Sequence, residues 1–482
     1  MLNIYEIVIG LEVHVELDTQ SKMFCPCANR FGATPNTNVC PVCLGLPGSL
    51  PVLNEHTLVL ALQAALALNC RVNPFSRFAR KNYFYPDLPK AYQISQYELP
   101  LAGSGCLELF KDGEPARKVN IERLHLEEDA GKLLHDESHA FSHVDYNRCG
   151  VPLIEIVTNP DLRSPAETRL FLEALRRMLL YARVSDCKME EGSLRCDANI
   201  SLRPHGTKEL GQKVEIKNMN SFKAVQRGLE YEVERQAAIL NQGGRINQET
   251  RRWHEDKGVT SEMRTKEKDH DYRYFPEPDL PPLVVDAALL SKIRSNMPEL
   301  PEFRYRRFTA DYALSHYQAG IIISDPYLAD FFEETTKLNN QPQKVANWLL
   351  GDVLKLLKQV DTDIETLPFK PSHLAELLML IDGGKISGRT AKEVLEESFS
   401  AGKLPAEIVA EKGLGQISDT NELEQVVDDV LKKNSAAVRD HQEGKKNAFT
   451  FLVGSVMKAT RGKANPVIVT ALLQGKLDGS KQ

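Results

Sequence analysis

The strict alternation of apolar and polar residues near the start of the chain constrains its fold most strongly. In "EIVIGLEVHVEL" (6–17) one face is apolar, and the other carries Glu6, Glu12, His14 and Glu16. The segment "SLRCDANISLR" (193–203) repeats the pattern, with a polar face made of Arg195, Asp197, Asn199 and Ser201. A period of two is typical of a strand buried on one side in an antiparallel sheet. We therefore predict an α+β domain whose sheet is largely antiparallel and polar on one face.

The chain of 482 residues is too long for one hydrophobic core, so several domains are expected. The amphipathic segment 164–182 predicts a helix, with Ser164 as N-cap and Pro165 at its first position. The proline-rich segment "PEPDLPPL" interrupts the strand-rich part, and after about residue 295 the chain has the pattern of successive short helices. The predicted domains are the α+β domain at 1–292, an all-α helical domain at 293–409 and a small all-α tail domain at 410–482.

Four cysteines lie close together in "CPCANRFGATPNTNVCPVC" (25–43), as a C-x-C pair followed by a C-x-x-C pair. Two closely spaced thiol pairs held in turns are typical of a tetrahedral structural zinc site. A redox-active C-x-x-C motif is the alternative, but the segment lacks the strand and helix that accompany such a motif. We predict one structural Zn²⁺, bound by Cys25, Cys27, Cys40 and Cys43. The other five cysteines are scattered singly, which argues against a disulfide framework and predicts small buried apolar residues.

Acidic residues also occur where a strand should be apolar. Glu155 lies in the middle of the apolar run "VPLIEIVTNPD", where an unpaired carboxylate would be costly. Glu127 and Glu128 directly follow another apolar-alternating strand in "RLHLEEDAGK". With Glu12 and His14, these residues would make an oxygen-rich site that suits Mg²⁺. The alternative, acidic residues on a hydrated sheet face, stays open because the sequence does not show that these strands meet.

Familiar nucleotide-binding and hydrolase motifs are missing from the sequence. It contains no GxxxxGK[ST] loop, no GxGxxG opening a helix after a strand and no GxSxG elbow. The segment "RKNYFYPDLPKAYQISQY" (80–97) is the candidate for a nucleotide site, because it combines Arg80, Lys81 and Lys90 with several aromatic rings. A surface loop with aromatic anchors remains the alternative interpretation.

The last 46 residues are basic, although the whole chain carries a net charge of −6. They contain eight Lys and Arg against three Asp and Glu, a net charge of +5, which leaves −11 for the preceding 436 residues. A helical apolar stripe in this part precedes a basic loop that contains Lys458, Arg461 and Lys463. The pattern predicts a small helical domain that contacts a nucleic-acid backbone, and a solvated charged face is the alternative.

Neither a targeting segment nor a membrane span is expected. The N-terminal segment has no basic region and no cleavage site, and its acidic residues argue against a transit peptide. The longest apolar run, "TLVLALQAALALN", is interrupted by Gln63 and is too short to cross a bilayer. We expect a soluble, cytoplasmic protein.

Several long blocks of the sequence resemble a known family. "IGLEVHVEL", "RKNYFYPDLPKAYQISQ", "LHLEEDAGK", "PLIEIVTNPD", "MEEGSLRCDANISLR" and "DYRYFPEPDLPPL" are similar to signature segments of the GatB family, the B subunits of aspartyl/glutamyl-tRNA amidotransferases. "VGSVMKATRGKANP" resembles the C-terminal domain of that family. The resemblance runs essentially from end to end.

The resemblance implies a cradle-shaped catalytic domain, a helical domain and a tail domain that contacts tRNA. It implies a carbon–nitrogen ligase with glutamine as amido donor, which uses ATP to phosphorylate the side-chain carboxylate of mischarged Asp-tRNA(Asn), Glu-tRNA(Gln) or both. Ammonia, released from glutamine by an amidase-type A subunit, then forms the amide. A small C subunit completes the implied heterotrimer. The implied cofactors are ATP, Mg²⁺ and, in part of the family, a structural Zn²⁺.

The matching motifs also imply site residues. The Mg²⁺ ligands, and with them the catalytic residues, would be Glu12, His14, Glu128 and Glu155. Strict alternation leaves Glu127 versus Glu128 unsettled, and the family pattern favours Glu128. Lys81 is expected to contact a phosphate. The residues expected to contact tRNA are Lys458, Arg461 and Lys463.

The sequence admits two other interpretations. The archaeal E-type paralogue resembles this chain but carries a large inserted domain, for which 482 residues leave no room. A non-catalytic zinc-ribbon scaffold that binds tRNA is the alternative function. Such a scaffold would not need a carboxylate such as Glu155 inside an apolar strand.

Overall fold

The computed structural model describes residues 4–111, 114–135, 141–265, 271–360, 362, 364–417, 420–460 and 463–479. The chain divides into two compact units, Met1–Phe303 and Arg304–Gln482. The described strands all belong to the first unit, whereas the second is built from helices.

Strands in the first unit vary from two to fifteen residues in length. They are β1 (Tyr5–Glu16), β2 (Arg71–Val72), β3 (Phe75–Ser76), β4 (Ala79–Asn82), β5 (Tyr92–Ser95), β6 (Ala102–Lys111), β7 (Glu114–Glu128), β8 (Lys132–His135), β9 (Ser142–Asp145), β10 (Pro152–Thr158), β11 (Leu194–Pro204), β12 (Val214–Lys217), β13 (Glu249–His254), β14 (Val259–Thr265), β15 (Phe275–Pro276) and β16 (Leu283–Val284).

Nine of these strands form one sheet, in the order β14-β13-β12-β11-β1-β10-β7-β6-β2. Its neighbouring strands are antiparallel, except for the parallel pair β12 and β13. The two alternating segments form β1 and β11, which pair from Tyr5↔Pro204 to Val15↔Leu194. Leu11 and Val13 of β1 are almost fully buried, so one face of the central strand lies in the core. The other strands form smaller sheets: one of β15, β4 and β5, one of β16 and β3, and one of β8 and β9.

Helices cover the apolar face of the sheet in the first unit. They are α1 (Glu55–Ala67), α2 (Pro165–Tyr181), α3 (Phe222–Asn241) and α4 (Ala287–Asn296), with a 3₁₀ turn at Tyr146–Arg148. Helix α2 begins as predicted: the Ser164 side chain accepts the Glu167 backbone N–H at 3.1 Å, and Pro165 is the first helical residue. The fully buried Phe171 and Leu175 of α2 join the core that contains the apolar residues of β1.

The second unit consists of short helices. They are α5 (Pro301–Ala310, which begins in the first unit), α6 (His316–Ile322), α7 (Pro326–Asn339), α8 (Pro342–Trp348), α9 (Leu354–Val360), α10 (Pro371–Asp382), α11 (Gly388–Ala401), α12 (Pro405–Lys412), α13 (Thr420–Lys433), α14 (Ser435–Gln442), α15 (Lys446–Ala459) and α16 (Pro466–Gly479), with a π-helical segment at Leu349–Val353 and a 3₁₀ turn at Ile364–Thr366. The predicted apolar stripe of the tail packs into a separate cluster, in which Leu452 and Val456 are fully buried.

The predicted α+β class, with a largely antiparallel sheet followed by a helical part, is confirmed. The division into domains at 1–292, 293–409 and 410–482 stays a prediction. Within the described ranges, no helix combines the length and the hydrophobicity that a bilayer span requires.

Candidate active site on the polar face of the sheet

Four neighbouring strands bring polar side chains into one row across the centre of the sheet. His125 of β7 is paired with Glu155 of β10, Glu155 with His14 of β1, and His14 with Arg195 of β11. Glu12 lies two residues before His14, on the same face of β1. Because strand residues alternate between faces, the burial of the apolar side directs this row to the opposite surface.

His14, Glu127 and Glu155 form a compact group in this surface, which we call the acidic cluster. His14 Nε2 lies 3.4 Å from Glu127 Oε1 and 3.5 Å from Glu155 Oε2. The ligand-capable atoms of all three residues lie within 4.8 Å of one another. His125 supports the cluster, because its Nε2 lies 3.4 Å from Glu155 Oε2 and 3.8 Å from Glu127 Oε2.

Glu128, which the family pattern favoured as a ligand, lies outside the acidic cluster. Its carboxylate forms an ion pair with Lys90 and accepts the Ile94 backbone N–H at 2.9 Å. Successive side chains of a strand point to opposite faces, so Glu127 faces the acidic cluster and Glu128 faces away from it. The structure therefore places Glu127, and not Glu128, in the acidic cluster, and the role of Glu128 as a ligand stays a prediction.

Glu12 shares the polar face but is not part of the acidic cluster. Its Oε1 accepts a hydrogen bond from Asn199 Nδ2 at 3.0 Å. The Oδ1 of Asn199 is buried and has no hydrogen-bond donor among the described residues. Of the four predicted ligands, His14 and Glu155 are in contact, Glu12 is adjacent, and Glu128 is separate.

Opposite charges stabilise the acidic cluster. Burial lowers the pKa of His14, but its contacts with Glu155 and Glu127 outweigh this effect and raise it. Burial opposes ionisation of Glu155, yet His125 and His14 hold its pKa well below the usual range of a carboxyl group. Arg123 Nη2 adds positive charge 3.9 Å from Glu155 Oε1. Buried charges of this kind are tolerated only when they are paired.

The donor set of the acidic cluster fits a magnesium ion. Mg²⁺ is held in proteins by one or two carboxylates, and water and phosphate oxygens complete its coordination. Glu127 and Glu155 supply two buried carboxylates that point to one place, and His14 supplies a nitrogen beside them. The unpaired Asn199 Oδ1 near Glu12 offers a further acceptor for a bound water.

The four cysteines of the opening segment also converge, with their sulfur atoms within 4.8 Å of one another. They are free thiols, and the backbone N–H of Cys40 donates to Cys43 Sγ at 3.1 Å. The hydrogen bond with Cys25, together with the Lys22 ammonium 3.6 Å away, lowers the pKa of Cys43 to about 4. A thiolate at neutral pH within a four-sulfur group fits a closed tetrahedral zinc site.

The predicted nucleotide segment 80–97 lies beside the acidic cluster, because Ser95 Oγ donates to Glu127 Oε2 at 3.4 Å. Lys81 of β4 places its Nζ 4.9 Å from the ring centroid of Tyr272 and 6.0 Å from that of Tyr83. The stacked rings of Tyr97 and Tyr274 complete this aromatic group.

The cations predicted to contact tRNA have different surroundings. Lys458 is exposed in the last turn of α15. Lys463 is also exposed, but its Nζ donates to the Gly413 carbonyl at 2.8 Å, just beyond the end of α12. Arg461 lies outside the described residues. Lys458 is therefore the better test of the predicted nucleic-acid contact.

His125 was not selected from the sequence, although its imidazole contacts both carboxylates of the acidic cluster. The sequence nevertheless contains a signal for His125. Leu124 and Leu126 are apolar and buried, so alternation assigns His125, which lies between them, to the polar face. Because β7 continues to Glu128 in the structure, the same alternation extends to Glu127, which the sequence alone left unsettled.

Together, the fold and the site define an α+β protein with a carboxylate–histidine centre on the polar face of an antiparallel sheet. A family model described as the GatB/GatE catalytic domain matches residues 7–291, and one described as the GatB domain matches residues 330–477. The chain therefore belongs to the GatB family. These descriptions give no support to the non-catalytic scaffold.

Curated relatives match over nearly the whole chain. The chain is 56% identical over 476 residues to the B subunit of the aspartyl/glutamyl-tRNA(Asn/Gln) amidotransferase of Carboxydothermus hydrogenoformans, with coverage of 98% of this chain and 99% of the relative. It is 57% identical over 475 residues to the protein of the same name from Moorella thermoacetica, with coverage of 98% and 100%. The corresponding protein of Thermodesulfovibrio yellowstonii is 52% identical over 469 residues, with coverage of 97% and 98%.

Protonated His125 should stabilise the first unit at neutral pH. Burial lowers its pKa, but Glu127 and Glu155 outweigh this effect and raise it to about 9, above the value of ~6.5 for an unfolded chain. This stabilisation is fully present below pH ~6.5 and is lost as pH rises through about 9. In urea unfolding without added Mg²⁺, His125→Asn should lower the free energy of unfolding by about 2 kcal/mol below pH ~6.5. Above the folded-state pKa of about 9 the loss should be smaller.

The matched control is His205→Asn, at an exposed histidine that follows β11. Its effect on the urea midpoint should be small at every pH. A constant cost of His125→Asn across this range would contradict the assignment of a protonated His125.

Proposed function

We propose that this chain carries the ATP-dependent centre of a tRNA-dependent amidotransferase. The enzyme converts mischarged Asp-tRNA(Asn), Glu-tRNA(Gln) or both into Asn-tRNA(Asn) and Gln-tRNA(Gln), with glutamine as the amido donor. The observation that carries the proposal is the acidic cluster, which lies inside the part of the chain matched by the GatB/GatE catalytic domain.

The reaction needs activation because a carboxylate is a poor electrophile whose leaving group would be an oxide. In the first step, an oxygen of the side-chain carboxylate bonds to the γ-phosphorus of ATP, the bond to the β,γ-bridging oxygen breaks, and ADP leaves. In the second step, ammonia bonds to the acyl carbon, phosphate leaves, and loss of a proton gives the amide. Phosphoryl transfer of this kind depends mainly on positioning and on charge stabilisation.

The acidic cluster has the groups for this task. In this proposal Glu127, Glu155 and the neutral form of His14 bind Mg²⁺, and Glu12 supports the site from the same face of β1. A bound Mg²⁺ would neutralise charge on the phosphate oxygens. His125 holds the pKa of Glu155 low and orients both carboxylates through its contacts at 3.4 and 3.8 Å.

Lys81 is proposed to bind a phosphate oxygen. Its ammonium lies over the aromatic rings rather than in an ion pair with one of the described carboxylates. The same strand carries Arg80, whose guanidinium is already held by Glu277 at 2.8 and 2.9 Å. Lys81 is therefore the cation of this pair that remains available to a ligand.

The proposal requires partners. An amidase-type A subunit would hydrolyse glutamine and deliver ammonia, and a small C subunit would complete a heterotrimer. A cytoplasmic location is part of the same proposal, because aminoacyl-tRNA is used there. The division at 1–292, 293–409 and 410–482 belongs to the same proposal, with catalysis in the first domain and contact with the body of the tRNA in the tail.

Glu155→Gln should abolish transamidation and spare tRNA binding. The substitution keeps the shape of the side chain but removes the charge that His14 and His125 now offset. In the assembled complex, with ATP, glutamine and mischarged tRNA, amide formation should fall by more than about 100-fold. Filter binding of the same tRNA should stay nearly unchanged.

Glu122→Gln is the control for this experiment, because Glu122 is an exposed carboxylate on the same strand as Glu127. It should support normal amide formation. Near-normal transamidation by Glu155→Gln would remove Glu155 from the mechanism.

We also propose that the cysteine group holds one structural zinc ion. A closed four-thiolate site leaves no position for a substrate, so its contribution would be to stabilise the loop 25–43. The free thiols and the lowered pKa of Cys43 support this assignment.

Cys40→Ser should lose the zinc and lower the thermal midpoint, because metal binding and folding of such a loop are coupled. Metal analysis of the parent protein should find about one zinc per chain. Turnover per folded molecule should change little. Cys106→Ser, at one of the scattered cysteines, should keep the metal, and a parent protein without zinc would refute the assignment.

For the tail, we propose that Lys458 contacts a tRNA phosphate. Such contacts position the substrate and depend on ionic strength. Lys458→Gln should therefore raise KM for aminoacyl-tRNA and reduce the salt slope of binding by about one, with kcat nearly unchanged. Both quantities are measured with the complete complex.

Lys445→Gln provides the matched control, because Lys445 is exposed in the same region but is already paired with Asp440 at 2.7 Å. It should change KM and the salt slope less. Loss of kcat at saturating tRNA in Lys458→Gln would contradict a purely positional role. Lys463→Gln is less informative, since it also removes the contact with the Gly413 carbonyl.

A further inference from the structure

Tyr97 and Tyr274 form a flat aromatic surface at the edge of the candidate active site. Their ring centroids lie 4.2 Å apart, and the planes differ by only 7°. Tyr97 nevertheless remains 59% exposed, whereas Tyr274 is half-buried. An exposed aromatic ring held in a stack is a suitable surface for another flat ring.

The surface is held in place by the surrounding backbone. Tyr272 meets Tyr274 edge to face at 6.2 Å. The Tyr272 carbonyl accepts the backbone N–H of Asn82 at 3.0 Å, and the Arg273 carbonyl accepts Asn82 Nδ2 at 2.7 Å. Because these hydrogen bonds exist before a ligand binds, stacking on Tyr97 would lose little conformational entropy.

The stack also lies beside the acidic cluster. Ser95, two residues before Tyr97, donates to Glu127 at 3.4 Å. Burial, together with the charges of Glu127 and Glu155, raises the pKa of Tyr274, so its phenol stays neutral. A flat ring surface and a carboxylate site are thus neighbours.

We propose that the Tyr97–Tyr274 pair is the platform on which the 3′-terminal adenine of the substrate tRNA stacks. The inference rests on the proposed function. The reacting carboxylate belongs to an amino acid esterified to the ribose of that nucleotide, so the base is tethered to it through one aminoacyl ester and one ribose and must lie near the acidic cluster. The acceptor end is single-stranded, and proteins bind unpaired bases by stacking on aromatic side chains.

ATP contains the same adenine ring, so the test compares a tRNA probe with a nucleoside triphosphate probe. The complete complex is titrated with uncharged tRNA that carries 2-aminopurine in place of its terminal adenine, and separately with 2-aminopurine riboside triphosphate. Stacking on an aromatic ring quenches the fluorescence of this base. We expect quenching of the tRNA probe by the parent and by Tyr97→Phe, which keeps the ring, and its loss in Tyr97→Leu.

Kinetics provide a second readout. Tyr97→Leu should raise KM for aminoacyl-tRNA about tenfold or more and leave kcat nearly unchanged. Tyr97→Phe should restore the parent KM, which a merely structural defect would not predict. Tyr317→Leu, at a 77% exposed tyrosine of the helical unit, should leave quenching and KM unchanged.

The outcomes separate this inference from the proposed function. If the parent complex binds tRNA on filters but does not quench the probe, or if quenching survives in Tyr97→Leu, the platform is refuted and the proposed function stands. Quenching by Tyr97 of the triphosphate alone would also overturn the assignment to tRNA. Failure of the parent complex to bind tRNA at all would overturn the proposed function, and this inference with it.

Discussion

The register of β1 between β10 and β11 determines where every polar group of the site lies. His14 can meet Glu155 only because Val13 and Val15 point into the core on the opposite side of the strand. A slip of one residue would turn the imidazole into the apolar core and Val13 to the polar surface. The burial that drives folding of the first unit therefore also positions its candidate active site.

This arrangement has an electrostatic cost that the neighbouring strands offset. Carboxylates from β7 and β10 are buried side by side, and the compensating charges come from His14 of β1 and from His125 and Arg123 of β7. Glu16, on the same strand as His14, differs: burial and the charge of Asp129 raise its pKa to about 7, although Arg195 and Arg148 act in the opposite direction. The polar face thus combines a centre in which Glu155 is held ionised with a margin, at Glu16, that can gain a proton near neutral pH.

The order of apolar, polar and capping residues within each segment predicted much of this structure, because it reflects which residues of the segment are buried. Alternation identified β1 and β11, and the Ser164–Pro165 pair marked the start of α2. The order of the strands could not be predicted, since β1 pairs with segments more than 130 residues away. The choice of Glu128 over Glu127 followed the family motif, whereas the pairing with Lys90 that separates Glu128 from the acidic cluster is a tertiary contact.

The cysteine loop is tied to the strand that carries Glu155. The backbone N–H of Met23 donates to the Gly150 carbonyl at 2.8 Å, two residues before β10 begins. Gly150 has a φ of +82°, and an added Cβ there would lie 3.6 Å from the Cβ of Cys43. A side chain at this position would therefore be strained by the backbone conformation more than by crowding. A metal bound by the cysteines would order this loop, and the loop helps to position β10, which carries Glu155. The metal would therefore affect the reaction only by positioning that strand.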